Sequence, residues 1–174
     1  MYWVIIFLTV LIIVLMSMFL FFTFGAYFWG GPFVPSDRKV IKKAFQEIQL
    51  CPQMVVYDLG AGDGRVLVEA AKFGAQAYGY ELNPFWQAIA WMRAWVNGVR
   101  SKVKLIQQDF MQADFGRADV IYAYLFPDKI ASLESILQKK LRKGTKVITY
   151  RFPFPNWKAS KVLESEKVFI YQKT

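Results

Sequence analysis

The spacing of apolar residues changes character along the chain. From Tyr2 to Phe24 they run almost without interruption: only Tyr2, Thr9, Ser17 and Thr23 are polar, and no charged residue precedes Asp37. A helix over this run would span roughly 34 Å at about 1.5 Å per residue, enough to cross a bilayer core with some tilt. The stretch has no polar face and is longer than a soluble core usually needs. A cleaved signal peptide fits less well, because the basic n-region is missing. Residues 1–25 are therefore expected to form a transmembrane anchor, with Trp3, Tyr27, Phe28 and Trp29 at its two interfaces.

From Gly25 to Pro35 the chain is rich in Gly, Pro and aromatics and reads as an interfacial linker. Ser36 is placed to cap a helix from Asp37 to about Leu50, with Val40, Ala44, Phe45 and Ile48 as its apolar stripe. Pro52 stops it. Residues 26–52 thus form a linker and pre-domain helix, and a domain occupies 53–174.

Within that domain short apolar runs alternate with helical periods. Strands are expected at Met54–Asp58, Ala77–Glu81, Val103–Gln107, Asp119–Tyr124 and Lys146–Tyr150. Helices are expected at about Gly64–Phe73, from Pro84 to about Val96, and from Pro127 to about Leu141. The first strand is too continuously apolar for a sheet with one wet face, so the sheet should be parallel and covered on both sides. Helical crossovers of ten or more residues imply a doubly wound, mostly parallel α/β sheet of Rossmann-like type. Two prolines make Arg151–Trp157 irregular, and Lys161–Leu163 with Val168–Gln172 should close the sheet as an antiparallel hairpin.

Charge and composition narrow the chemistry. All of the net charge of +9 belongs to residues 37–174, which suits nucleic acid, an anionic membrane surface or acidic protein partners without choosing among them. The first basic cluster, Arg38, Lys39, Lys42 and Lys43, follows the span and no Lys or Arg precedes it. The positive-inside tendency then places the N-terminus outside and the domain on the cytoplasmic side, or on the matrix side in an organelle. There is no histidine, which removes His general bases, His-based triads and most zinc sites; no metal is expected. A lone cysteine, Cys51, permits no internal disulfide.

The candidate site lies where the first strand breaks into Asp58-Leu59-Gly60-Ala61-Gly62-Asp63-Gly64-Arg65. A strand, a glycine turn and a helix start are shared by dinucleotide, nucleotide and methyl-donor sites. The dinucleotide fingerprint fails because Arg65 stands where its third glycine belongs, and the lysine of a phosphate loop is absent. Asp58 and Asp63 suit a cationic ligand better than a pyrophosphate, and S-adenosylmethionine carries both an ammonium and a sulfonium. Gly60 and Gly62 would let backbone approach it closely. Glu81, 17 residues past Gly64, is placed to accept hydrogen bonds from ribose hydroxyls. Asp109 is placed to accept one from the adenine amino group, with Phe110 beside the ring. Taken singly, Asp58 and Asp63 are also ordinary capping residues, and Glu81 and Asp109 ordinary strand-end acids.

With these residues in place, the chain resembles the class I, seven-strand S-adenosylmethionine-dependent methyltransferases over residues 54–172. Three segments are similar to the membrane-anchored protein-lysine methyltransferases that act on the ATP synthase c-subunit and the adenine nucleotide translocase. They are Asp58–Val66, Gly79-Tyr80-Glu81-Leu82-Asn83-Pro84 and Arg151-Phe152-Pro153-Phe154-Pro155-Asn156-Trp157. The resemblance adds Ala61, Gly64, Leu82 and Asn83 to the donor site. It also implies a catalytic mouth at Tyr124, Phe126, Pro127, Asp128, Arg151, Phe152 and Trp157, with Phe154 alongside. Tyr124-Leu125-Phe126-Pro127 keeps only the aromatic–proline outline of the family's segment after the fourth strand.

The activity implied is methyl transfer to lysine side chains of a membrane protein, such as an ATP synthase c-subunit-like substrate. Alignment of a neutral amine with the donor methyl is the main requirement. An apolar aromatic mouth would favour the neutral amine and hold methylated ammonium by cation–π contact. Asp128 and Tyr124 are the nearby groups for receiving a proton. Three alternatives stay open: an RNA methyltransferase, a lipid or quinone methyltransferase, and a membrane-tethered S-adenosylmethionine-binding protein without turnover.

Overall fold

The computed structural model describes the backbone of residues 2–28 and 33–174, and the side chains of 2–20 and 33–174. Two compact units result, 1–34 and 35–174. In the first, helix α1 (Tyr2–Phe28) exposes its apolar side chains from Tyr2 to Leu20, a stretch with mean hydropathy 2.9. Thr9 donates to the Ile5 carbonyl at 2.9 Å, so its hydroxyl is satisfied within the helix. The linker expected from Gly25 starts later than that, because the helix continues to Phe28; neither Gly25 nor any neighbour up to Phe28 is a proline that would break the ladder. Residues 29–32 of that linker, and the anchor assigned to Trp29, lie outside the described residues. So do the side chains of Tyr27 and Phe28.

The second unit opens with α2 (Arg38–Glu47). Its N-cap is Asp37, whose carboxylate accepts from the Lys39 amide at 2.8 Å, and not Ser36 as expected. Ser36 is buried instead, and its carbonyl accepts from Arg65 Nη1 at 2.9 Å. Ile41, Ala44, Phe45 and Ile48 form the buried stripe, with Ile41 taking the central place expected for Val40.

Among the described residues seven strands make one sheet: β1 (Val55–Leu59), β2 (Gln76–Tyr80), β3 (Val103–Ile106), β4 (Val120–Ala123), β5 (Lys146–Tyr150), β6 (Lys161–Leu163) and β7 (Val168–Gln172). Their order is β3-β2-β1-β4-β5-β7-β6. The first five are parallel, while β7 runs antiparallel to both β5 and β6, so the sheet is mixed. Helices α3 (Arg65–Lys72), α4 (Pro84–Val96) and α5 (Pro127–Lys140) supply the crossovers from β1 to β2, β2 to β3 and β4 to β5, while the connection from β3 to β4 carries a 3₁₀ turn, Phe110–Gln112. Side chains alternate between two cores, as the pleat requires. Val56, Tyr122 and Ile148 join α2 and α3 on one face; Tyr57, Ile121 and Val147 join α5, Phe115 and Tyr171 on the other. Strand order reverses between β1 and β4, and the crevice at the carboxyl ends there is where such sheets bind ligands.

Candidate active site

The turn after β1 is built from backbone that only glycine adopts cheaply. Gly60, Gly62 and Gly64 have φ of +81°, +50° and +74°. The amides of Gly60 and Ala61 both donate to the Tyr80 carbonyl at 2.9 Å, which pins the turn to the end of β2. At Gly64 a side chain would also collide: a Cβ would lie 2.6 Å from that of Ala90 on α4. Gly79 meets the same limit, since a Cβ there would lie 2.6 Å from Leu67 Cδ1 and 2.8 Å from Ala61 Cβ.

Glu81 ties the two strand ends together. Its Oε2 accepts from the Gly62 amide at 2.8 Å and its Oε1 from the Asn83 amide at 2.9 Å. Each oxygen keeps a further lone pair, as a diol-binding carboxylate needs. Gln87 donates to the Glu81 carbonyl at 2.6 Å, and Asn83 caps α4 by accepting from the Phe85 amide at 2.9 Å. Leu82 is half-buried between them. After β3, Asp109 Oδ1 accepts from the Met111 amide at 2.9 Å and opens a 3₁₀ turn, Phe110–Gln112. Phe110 is half-buried beside Asp109.

The acids of the turn divide into two kinds. Asp63, expected to face a cationic ligand, is occupied by protein cations. Its Oδ1 accepts from Arg65 Nε at 2.9 Å, and its Oδ2 from Arg65 Nη2 and Arg93 Nη2, each at 2.7 Å. Arg93 Nε also donates to the Asp63 carbonyl at 2.8 Å, so α4 clamps the turn by side chain and main chain together. Burial pushes the Asp63 carboxyl up, but the Arg65 hydrogen bonds and the two guanidinium charges outweigh it and hold the group below its ordinary value. Asp58 is the opposite case. It is buried at the end of β1 and its Oδ2 has no hydrogen-bond partner. Burial first, then the charges of Glu81 and Asp63, raise its carboxyl well above the ordinary value. Glu81 is raised too, by burial, against the lowering effect of its backbone hydrogen bonds.

Two raised carboxyls beside a turn of bare backbone lack a positive charge. A ligand with a cationic centre, a ribose-like diol and a ring amine would supply that charge and fill the free lone pairs of Glu81 and Asp109. The residues present therefore fit the donor expected from the sequence.

After β4 the chain turns through Tyr124–Phe126. Leu125, not singled out in the sequence, lies against the glycine turn: its Cδ2 would be 3.5 Å from a Cβ on Gly60. Tyr124 packs edge-on to Tyr150 at 4.6 Å, and the Arg151 guanidinium lies 5.8 Å and 5.5 Å from those two rings. Arg151 takes φ of +67°, held by its amide donating to the Lys167 carbonyl at 2.7 Å. Phe126 and Asp128 are exposed, and Pro127 opens α5. The rest of the proline-rich segment turns away from this group. Phe154 is buried, stacks on Trp157 at 5.6 Å and packs on Tyr171 at 4.8 Å, and its amide donates to the Tyr171 hydroxyl at 2.9 Å. The Asn156 amide is shared by both oxygens of buried Glu134 at 3.1 Å. Phe154 and Trp157 stack on each other and meet Tyr171 in tilted contacts, and Phe152 and the half-buried Trp157 pack against the same core, which accounts for these rings without a role in the mouth. Among the described residues no three or more His, Cys, Asp or Glu side chains are grouped as for a metal.

Sequence reasoning missed Arg93, Leu125, Tyr150 and Glu134. Only Arg93 left a signal, as the single charge in the otherwise apolar PFWQAIAWMRAWV helix.

Comparison with known proteins gives a consistent neighbourhood. The model of the ANTKMT methyltransferase domain matches residues 58–161. The chain is 37% identical to the ATP synthase c-subunit lysine N-methyltransferase of Xenopus laevis over 126 residues, 72% of this chain and 55% of that protein. It is 31% identical to a protein-lysine N-methyltransferase of Saccharolobus islandicus over 137 residues, 78% and 85% of the two chains. The chain spans about half the length of the vertebrate relatives. Among solved structures, an RNA methyltransferase from Salinibacter ruber in complex with S-adenosyl-L-homocysteine aligns with TM-score 0.77 and 32% identity, over 80% of this chain and 93% of that one.

Proposed function

The chain belongs to the ANTKMT methyltransferase domain family, and on that premise we propose that it transfers a methyl group from S-adenosylmethionine to lysine side chains of a membrane protein. The observation that carries this reading is the Glu81 carboxylate bridging the Gly62 and Asn83 amides, with a lone pair to spare on each oxygen. The lysine part is supported by the two relatives named as lysine methyltransferases. The apolar helix α1, followed by Arg38, Lys39, Lys42 and Lys43, supports a single-pass anchor with the domain on the side of that basic cluster.

Bound S-adenosylmethionine supplies an electrophilic methyl on a sulfonium that departs as a neutral thioether. Glu81 holds the ribose hydroxyls, Asp109 the adenine amino group and Phe110 the ring. Gly60, Ala61 and Gly62 offer bare backbone to the rest, while Asp58 and Glu81 provide the negative potential that a cationic donor satisfies. Arg93 and Arg65 hold the turn in shape through Asp63.

The acceptor must arrive as a free amine. Tyr124 and Phe126 form an apolar approach that disfavours an ammonium. The Arg151 guanidinium acts in the same direction, since a like charge close to the incoming lysine lowers its pKa. Asp128 and the Tyr124 hydroxyl are the groups available to relay the proton outward.

Glu81→Gln tests the donor site. Donor binding should weaken roughly 10- to 100-fold, the cost of a lost hydrogen bond to a charged group. Unchanged binding would remove the assignment. An RNA acceptor is the second reading, favoured by the likeness to the Salinibacter ruber RNA methyltransferase and by the net charge of +9. Label that resists protease and disappears with ribonuclease would establish it.

A further inference from the structure

Helix α4 has two jobs of different kinds on its two sides. Its inner side carries Ala90 and Ala94 into the fold and Arg93 to Asp63. Its outer side is apolar and exposed: Trp91 is 48% exposed, Met92 52%, Trp95 65% and Val96 70%. Positions 88, 91, 92 and 95 fall on one face of a helix, so this is a continuous stripe and not scattered residues.

What surrounds the stripe says what covers it. A groove of about 380 Å³ runs between α4 and β3, with Ala88, Trp91 and Val103 in its wall and Arg100 and Lys104 among its lining. The Arg100 guanidinium sits 5.3 Å over the Trp91 ring. Among the described residues no carboxylate lines the groove. Exposed tryptophans beside cations, without acids, are the composition of a helix lying in a lipid interface, where indoles settle at headgroup depth and Lys and Arg meet phosphate. A protein partner with an acidic rim would match the charges, but the same chain already carries, within α1, an exposed apolar stretch of 19 residues with mean hydropathy 2.9.

We propose that the outer face of α4, with the adjacent groove of Arg100 and Lys104, docks the domain onto the surface of an anionic phospholipid bilayer. Trp91, Met92 and Trp95 enter the headgroup–acyl boundary, and Arg100 and Lys104 meet lipid phosphates. The proposal rests on the membrane reading of α1 only in that it gives the domain a bilayer to lie on. Docking at α4 also sets the orientation of the helix whose other side clamps the donor turn.

The test uses the full chain with Cys51→Ser, carrying a single environment-sensitive fluorophore at Met92→Cys, Ile12→Cys or Lys143→Cys. The labelled proteins are reconstituted in phosphatidylcholine vesicles with or without phosphatidylglycerol, some containing lipids brominated on the acyl chain. Bromolipid should quench the label at 92, more with phosphatidylglycerol, and leave the label at 143 bright. Arg100→Gln with Lys104→Gln should weaken docking roughly 30-fold at about 1 kcal/mol per cation. Quenching at 12 without quenching at 92 overturns the docking proposal and leaves the anchor standing. Quenching at 92 without quenching at 12 supports docking and overturns the anchor. A blue shift at 92 that grows with protein concentration in detergent, without bromolipid quenching, assigns the stripe to a second copy and also overturns the proposal.

Discussion

Asp58, Asp63 and Glu81 crowd one turn, and what neutralises each sets its behaviour. Asp63 has two guanidinium partners, so its carboxyl is depressed. The stability it contributes is present above the ordinary aspartate value of 3.8 and is lost as pH falls through its lower folded value. Arg93→Met should cost about 2 kcal/mol, the worth of a charge-assisted hydrogen bond, and loosen donor binding indirectly. Thermal unfolding of the detergent-solubilised protein would report the first effect and a donor titration the second. Asp58 and Glu81 run the other way. Their carboxyls are raised, so the folded protein holds their protons to higher pH than the unfolded chain, and each loses stabilising effect as pH rises from its ordinary value through its folded one. A cationic donor prefers them ionised. Donor affinity should therefore rise with pH across that window, with a proton released on binding, and Asp58→Asn should flatten the dependence. Calorimetry in buffers of different ionisation enthalpy would show the release. Glu81 and Asp109 stood out in the sequence because each is an acid that follows a strand. The neutralisation of Asp63 was not, because Arg93 lies 30 residues away and only packing brings the two together.

At the scale of elements, close approach of α3 to α4 depends on one missing methyl group. Gly64→Ala would put a Cβ 2.6 Å from Ala90 Cβ at φ of +74°, and should destabilise by roughly 2–4 kcal/mol. Gly98→Ala has a similar φ, +68°, but meets nothing within 4 Å, so it should cost about 1 kcal/mol. Denaturant titration of both variants would separate crowding from backbone strain. The alternation of apolar strands and helical periods, with the glycine and proline stops, makes β1 to β5 and their crossovers legible along the chain. The place of β7 between β5 and β6 was hidden, because a hairpin pattern does not say which of its strands joins the sheet. The aromatic segment from Phe152 to Trp157 was legible as unusual but not as packing. Its partners Tyr171 and Glu134 come from β7 and α5, and spacing along one segment carries no trace of them.

For the whole molecule, an apolar helix, a basic domain and a mixed seven-stranded sheet support the proposed methyl transfer next to a membrane. Net charge alone did not choose among nucleic acid, an anionic membrane surface and acidic protein partners. The glycine turn bears on the donor and is silent on the acceptor, which we assign to the short segments after β4 and β5. Tyr124, Phe126 and Arg151 are the residues of those segments left for an incoming amine, and Tyr124→Ala should lower turnover more than donor affinity, checked by comparing kcat with donor Kd. The central claim is the lysine acceptor. It is tested most directly by giving the reconstituted full chain methyl-labelled S-adenosylmethionine and a membrane fraction, then locating the label by peptide mass spectrometry. Label is expected on lysine side chains of membrane proteins, sensitive to protease, resistant to ribonuclease and lost with Glu81→Gln. Label confined to RNA or lipid, or unchanged protein label with Glu81→Gln, would contradict it.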